Sequence, residues 1–330
     1  MDYAALGSSE LEISRVILGT WVMGGWKWGG ADREDAVGAI HKAIDLGVTT
    51  IDTAPIYGFG LSEEIVGEAL AGRRDEVVIA TKGGLRWDLE EGEFFFEATD
   101  LDGSTLPIYR NLKPDSLLWE IDQSLERLGV DCVDLYQCHW PDETTPIAET
   151  MEVMNRILEE GKARFIGVSN FSAEMIEEAR RHAPVISDQP EYNMLDRGIE
   201  DELLPYCAEH DVGVIAYSPL HQGLLTGKVT MEREFGEDDQ RSWKPWFQPQ
   251  NRRRVLDFLE RIRPIADGHG KTLAQLAINW CLCQRGVTAA IVGARRPDQV
   301  AENVGAAGWK LSAAELEQIR NLLEELGAPQ

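Results

Sequence analysis

Four polar residues of different chemistry, Asp52, Tyr57, Lys82 and His139, each fall at or within a few residues of the end of a short apolar run, in three different strand-then-helix units. Together they are the parts of a proton-donor site. A phenol ionises at about 10 in water, and a buried ammonium beside it is expected to lower that value. A carboxylate keeps the ammonium charged, and an imidazole is supplied as well. Taken singly, each has a plain structural explanation: Tyr57 as a half-buried aromatic, Lys82 as an exposed strand-end charge, His139 as a hydrogen-bonded structural imidazole. The strand-end pairing of Asp52 with Lys82 beside a phenol favours catalysis.

Residues so far apart must be brought together by the fold. Short runs rich in β-branched residues recur: VILGT from Val16, VTTID from Val48, VVIATK from Val77, VDLYQCH from Val133, FIGVSN from Phe165, VISDQ from Val185, VGVIAY from Val212 and AAIVG from Ala289. Near-continuous apolar runs of this kind suit parallel strands buried on both faces. Between them lie segments of helical period, such as Leu117, Leu118, Ile121, Leu125 and Leu128, or Leu273, Leu276, Ala277 and Trp280. Pro114 suits a first helical position, and Thr272 with Gln275 and Ser312 with Glu315 suit capping boxes. Eight alternations predict an α/β chain folded as a (β/α)8 TIM barrel, with a doubly wound sheet as the architectural alternative.

Residues 2 to 14, with a Gly7-Ser8 turn, predict a hairpin closing the barrel's bottom. The amphipathic segment from Ser312 to Leu326 predicts an extra helix outside the barrel. Residues 83 to 113 and 219 to 251 are too long for ordinary barrel turns and suit lids or substrate walls. No linker-like stretch divides residues 1 to 330, so one domain is expected.

In a parallel barrel the C-terminal strand ends share one mouth. Ser169 and Asn170 close the fifth run, Gln189 the sixth, Tyr217 and Ser218 the seventh. The motifs IDTAPIYG from Ile51, IATKGG from Ile79, DLYQCHWPD from Asp134, GVSNF from Gly167, AYSPL from Ala216 and GARRPDQVAEN from Gly293 resemble the aldo-keto reductase superfamily over nearly the whole chain. The likeness is nearer to the bacterial general-stress type and the β subunits of voltage-gated potassium channels than to the aldose reductases. The resemblance implies Tyr57 as general acid, Lys82 as its cation, Asp52 as partner of Lys82, and His139 at the substrate carbonyl. It also implies that Ser169, Asn170 and Gln189 hold a nicotinamide carboxamide and that the Tyr217 ring stacks on the nicotinamide. Ser218, Pro219, Leu220, Gly223 and Lys228 would then line the pyrophosphate, and Gly293, Arg295, Gln299, Glu302 and Asn303 the adenosine half. Arg295 and Arg296 suit a 2′-phosphate, which favours NADP(H), with NAD(H) the alternative.

Aromatic residues are expected to wall the substrate: Trp21, Trp87 and Trp140, and from the second long segment Trp243, Trp246 and Phe247. Such walls suit an apolar carbonyl substrate, an aldehyde or ketone reduced by hydride transfer. The rival class is a nucleotide-sensing regulatory subunit with little turnover, and a third reading makes Lys82 the Schiff-base lysine of an isomerase or aldolase. His139 argues for turnover, since some relatives with regulatory roles carry Asn there.

Composition narrows the partners. With 32 Lys and Arg against 57 Asp and Glu, the formal charge of −25 opposes nucleic acid. The five cysteines form no CxxC pair and suit reduced thiols in a cytoplasm. There is no apolar run long enough for a membrane span and no cationic leader ahead of an apolar one, so a cytoplasmic protein is expected. No GxGxxG follows a strand, and Gly223 to Lys228 is one residue short of a phosphate loop. The histidines other than His139 lack ligand spacing, so no metal is expected.

Overall fold

The computed structural model describes residues 1–25, 31–100, 103–236 and 239–330. Strands β1 (Tyr3–Ala5) and β2 (Glu12–Ser14) pair antiparallel ahead of the barrel. The first barrel strands are β3 (Val16–Gly19), β4 (Thr50–Asp52) and β5 (Val78–Gly83). A small antiparallel sheet follows, made of β6 (Leu85–Arg86), β7 (Glu93–Thr99) and β8 (Thr105–Arg110). The barrel then resumes with β9 (Val133–Cys138), β10 (Ala163–Ser169), β11 (Val185–Gln189), β12 (Gly213–Ala216) and β13 (Val287–Gly293). All eight barrel strands are parallel and close in the order β10-β11-β12-β13-β3-β4-β5-β9, the (β/α)8 barrel expected from the runs. Their burial on both faces explains the absence of polar alternation: every residue of β9 is buried.

The outer helices are α1 (Arg33–Asp45), α2 (Leu61–Ala69), α3 (Pro114–Leu128), α4 (Ile147–Glu159), α5 (Ala173–His182), α6 (Leu203–Glu209), α7 (Pro249–Gly268), α8 (Leu273–Leu282), α9 (Pro297–Val304) and α10 (Ala313–Leu326). Local chemistry starts and stops them. Asp32 accepts from the backbone N–H groups of Glu34 and Asp35 to open α1. Pro114 occupies the first turn of α3, which ends on Gly129 in the left-handed region at φ 66°. Both expected capping boxes are present, Thr272 with Gln275 and Ser312 with Glu315. The extra helix is not alone: α7, formed within the long β12–α8 connection, packs on α10, with Arg261 2.5 Å from Glu325.

The N-terminal hairpin plugs the bottom. Leu6, Leu11 and Ile13 join Ile17, Ala80, Leu135, Ile186, Ile215, Ala289 and Ile291 in an apolar floor inside the barrel. A second apolar cluster lies at the opposite mouth, where Leu85, Ala98 and Ile108 of the small sheet meet Ala54 and Ile56 of the β4–α2 turn. Strands β6, β7 and β8 of the long segment after β5, expected as a lid or substrate wall, thus form a sheet set over the mouth. None of the described helices is long and apolar enough to cross a membrane.

Candidate active site

Between floor and mouth the barrel interior turns polar. Asp52 ends β4, and Lys82 projects from β5, which pairs with β4. Lys82 is wholly buried. Its Nζ donates to Asp52 Oδ1 at 2.7 Å, to the Thr53 carbonyl at 2.9 Å and to Tyr57 Oη at 3.3 Å. Tyr57 rides on the turn after β4, which Ser62 pins through Thr20 Oγ1 at 2.7 Å and Thr53 Oγ1 at 3.0 Å. The turn also depends on two glycines. A Cβ on Gly24 or on Gly58 would collide with the other segment's backbone, so only glycines let the Trp21–Gly24 turn lie against Tyr57. His139 directly follows β9, and its ring meets that of Tyr57 edge-on at 5.8 Å between centroids.

The electrostatics differ from expectation in one respect. Burial, and then the Asp52 charge, push the Tyr57 phenol well above its ordinary value, so the resting hydroxyl is a neutral O–H and is not acidified. Burial pulls the Lys82 ammonium below its usual range, while the Asp52 charge and hydrogen bond oppose that pull. His139 lies well below the usual imidazole range, because burial disfavours its cation and Lys82 repels it; the ring is neutral. Lys82 occupies a lone pair of Tyr57, which leaves the phenolic proton free to point elsewhere.

A cleft of about 790 Å³ opens beside the phenol and runs across the C-terminal ends of β10 to β13. Asp52, Tyr57 and His139 line it, with Lys82 beneath, and so does every residue the sequence assigned to a cofactor, from Ser169 to Asn303. Asn170 donates to the His139 carbonyl at 3.0 Å and accepts from Tyr217 Oη at 2.9 Å, while Ser169 Oγ donates to the Gln189 carbonyl at 2.7 Å. Three non-glycine residues held at positive φ, Asn170, Ser218 and Gln222, line the cleft. At the far end Lys228 bridges to Glu302 at 2.6 Å, and Asn303 donates to the Gly293 carbonyl at 3.2 Å. Arg295 donates its backbone N–H to Gln299 Oε1 at 2.8 Å; its guanidinium is pulled down by burial and then by the Arg241 and Arg296 charges. Arg296 itself is exposed and paired with Asp298 at 3.1 Å.

The aromatic walls match in part. Trp21 and Trp140 line the cleft. Trp87 does not: it packs edge-on against Phe59 at 5.5 Å and supports the small sheet from behind. Trp243 is 56% exposed, and Trp246 and Phe247 are buried in the core, so none of the three is a wall. The residues missed are Phe95 and Phe96. A bulge in the pairing of β7 with β8 falls between Phe94 and Phe96, and both Phe95 and Phe96 reach the cleft. Arg110 lies 3.9 Å from the Phe95 ring centroid and 5.3 Å from that of Trp140, which ties the hairpin to the wall. Arg233, Arg241 and Lys244 from the second long segment also line the cleft and were not anticipated, since their positions follow from the course of an irregular segment.

One cluster runs against the sequence-based view of the remaining histidines. Glu191, Asp196 and His221 bring ligand-type atoms within 4.8 Å of one another. His221 Nδ1 and Asp196 Oδ2 are 2.7 Å apart, and Lys244 stands 3.9 Å from Glu191, while His221 Nε2 has no hydrogen-bond partner among the described residues.

The likeness extends to whole proteins. A profile described as the aldo/keto reductase family matches residues 15–324. The chain is 41% identical over 332 residues to an NADH-specific methylglyoxal reductase of Escherichia coli, covering 99% of each. It is 36% identical over 320 residues to a probable voltage-gated potassium channel subunit beta of Arabidopsis thaliana, covering 93% of this chain and 91% of that one. The solved structure of a glycerol dehydrogenase from Gluconobacter oxydans superposes with a TM-score of 0.90 at 39% identity, covering 100% of this chain and 97% of that one. With its barrel and mouth matched over essentially their full length, the chain belongs to the aldo/keto reductase family and is a nicotinamide-dependent oxidoreductase of carbonyl compounds.

Proposed function

We propose that this single-domain barrel is a cytoplasmic, NADP(H)-dependent reductase of aldehydes or ketones, with Tyr57 as the general acid. The observation that carries the reading is the bond from Lys82 Nζ to Tyr57 Oη, with Asp52 behind the lysine and His139 beside the phenol. When bound, a reduced nicotinamide supplies the hydride. The residues present fit that group: Gln189 and Asn170 offer amides at one end of the cleft, Tyr217 an aromatic ring beside them, and Arg295 a guanidinium at the other end.

The chain's own part is proton delivery. A phenol kept neutral by burial is always in the donating form, whatever the pH of a cytoplasm. As its proton leaves for the carbonyl oxygen, the developing phenolate already has the Lys82 ammonium in hydrogen-bond reach, so its charge is met without rearrangement. Asp52 holds that ammonium through the low-dielectric interior. His139, as a neutral ring, donates an N–H to the carbonyl without competing as an acid. In alcohol oxidation the same groups run in reverse. Trp21, Phe95, Phe96 and Trp140 exclude water and favour apolar substituents on the carbonyl.

NADP(H) is favoured over NAD(H) because burial, and then the Arg241 and Arg296 charges, disfavour the Arg295 cation beside the cleft, a cost that a bound anion would offset. Steady-state oxidation of NADPH with 4-nitrobenzaldehyde tests the reading. Tyr57→Phe is expected to lower kcat by roughly a hundredfold or more while NADPH affinity changes little. Equal kcat in wild type and variant removes the proton-donor role, and tight NADPH binding without turnover of any carbonyl favours a nucleotide sensor instead.

A further inference from the structure

Gln137 is a buried amide near the C-terminal end of strand β9, in register with Lys82 of β5 on one side and Gly167 of β10 on the other. Its side chain is fully buried. Gly167 makes room for it: a Cβ there would come within 3.3 Å of Gln137 Cγ and collide with Ser187 Oγ. For stability alone an amide is a poor choice at this position. Its Nε2 has no hydrogen-bond partner among the described residues, and an unpaired buried donor is worse than an apolar side chain of the same size.

The one side-chain bond that Gln137 makes among the described residues leads to the site. Its Oε1 accepts from Gln189 Nε2 at 3.4 Å, and the same nitrogen donates to Asp52 Oδ2 at 2.8 Å. Both N–H bonds of Gln189 are therefore engaged on the barrel side. Its amide oxygen is the atom left for the cleft, which Gln189 lines. Asp52 decides which end of the amide faces inward, because a carbonyl turned toward a carboxylate is repelled. Gln137 holds the second N–H and so fixes the plane of the amide. An acceptor presented in this way selects a donor on the ligand: a carboxamide offers N–H, an acetyl group offers none, and a carboxylate is repelled.

We propose that Gln137 is a positioning residue that, through Gln189, sets the preference for a carboxamide over an acetyl or carboxylate group on the cofactor's pyridine ring. The proposal rests on the nicotinamide reading above and deepens it. It is tested by measuring dissociation constants of NADPH, its 3-acetylpyridine analogue and its deamido form through quenching of tryptophan fluorescence, together with Tm, for wild type, Gln137→Met and Gln137→Leu. Wild type is expected to prefer the carboxamide over the acetyl group by roughly tenfold, the worth of about one hydrogen bond. In both variants that preference is expected to shrink to about threefold or less while Tm is unchanged or higher. Retention of the full preference overturns the proposal. An equal loss of affinity for all three, or a lower Tm in both variants, marks Gln137 as a packing residue and also overturns it. A wild type that binds all three equally sinks this inference alone, whereas one that binds none sinks the nicotinamide reading with it.

Discussion

Replacing Lys82 with methionine separates two things the residue does. Lys82 Nζ lies 2.7 Å from Asp52 Oδ1, and both side chains are almost wholly buried, at 0% and 4% exposed. Methionine fills the stem's volume but removes the charge, so Asp52 is left in the barrel interior with Gln189 Nε2, 2.8 Å from its other oxygen, as its remaining side-chain partner. Breaking a buried pair from one side costs about 3–5 kcal/mol, because the stranded charge keeps its desolvation penalty and loses its compensation. The double variant Lys82→Met/Asp52→Asn strands no charge and is expected to recover most of that loss, to within roughly 1–2 kcal/mol of wild type. Equilibrium urea unfolding of the four proteins in the cycle reads the difference. Activity follows a different course: both the single and the double variant lose the cation that meets the phenolate, so carbonyl reduction is expected to fall at least about a hundredfold in each. The reasoning fails if Lys82→Met alone costs less than about 1 kcal/mol, or if the second substitution restores turnover.

Two further outcomes follow from groups elsewhere in the barrel. Asp188 of β11 is fully buried, Oδ2 has no hydrogen-bond partner among the described residues, and burial pushes the carboxyl up to about 8. Its unfolded value is about 3.9, so between roughly pH 4 and 8 the folded state holds a proton the unfolded state has lost, and stability falls as pH rises through that window. Asp188→Asn cannot ionise, and unfolding at pH 5 and 8.5 is expected to show a shallower decline than wild type; an identical decline refutes the assignment. Arg295→Ala is expected to weaken NADPH by about tenfold or more while NADH changes by less than about threefold. A uniform loss by titration calorimetry places Arg295 on the part of the cofactor that both share.

The readable parts of this site are those that strands carry. Asp52, Lys82, Ser169 and Gln189 sit at the last or next-to-last strand positions, and a parallel barrel brings such positions to one mouth, so an apolar run with a polar end locates them in one dimension. Walls supplied by long connections are a different matter. Trp87 and Phe95 both belong to the segment after β5, yet Trp87 faces Phe59 and Phe95 faces the cleft, and Phe95 and Phe96 both reach the cleft at a bulge in β7 that only its pairing with β8 defines. Composition finds the aromatics but not their faces.

The sign of the Tyr57 shift shows the same boundary in energetic form. Sequence supplies a cation and a phenol, and their proximity argues for a more acidic hydroxyl. Depth decides otherwise, since taking the phenolate out of water costs more than one lysine already shared with Asp52 returns. This outcome suits a proton donor better than the simpler expectation. A hydroxyl acidified at rest would stand partly as phenolate and be unable to donate, whereas one kept neutral by burial and backed by a waiting ammonium gives up its proton only when a substrate oxygen becomes basic enough to take it. Lys82 therefore acts on the product of the transfer and not on the resting donor. A plot of log kcat for reduction against pH is accordingly expected to stay flat from about 6 to 9. A fall centred below 9 that moves to lower pH in Asp52→Asn, where the charge that raises the phenol is gone, would mean that Tyr57 ionises at rest.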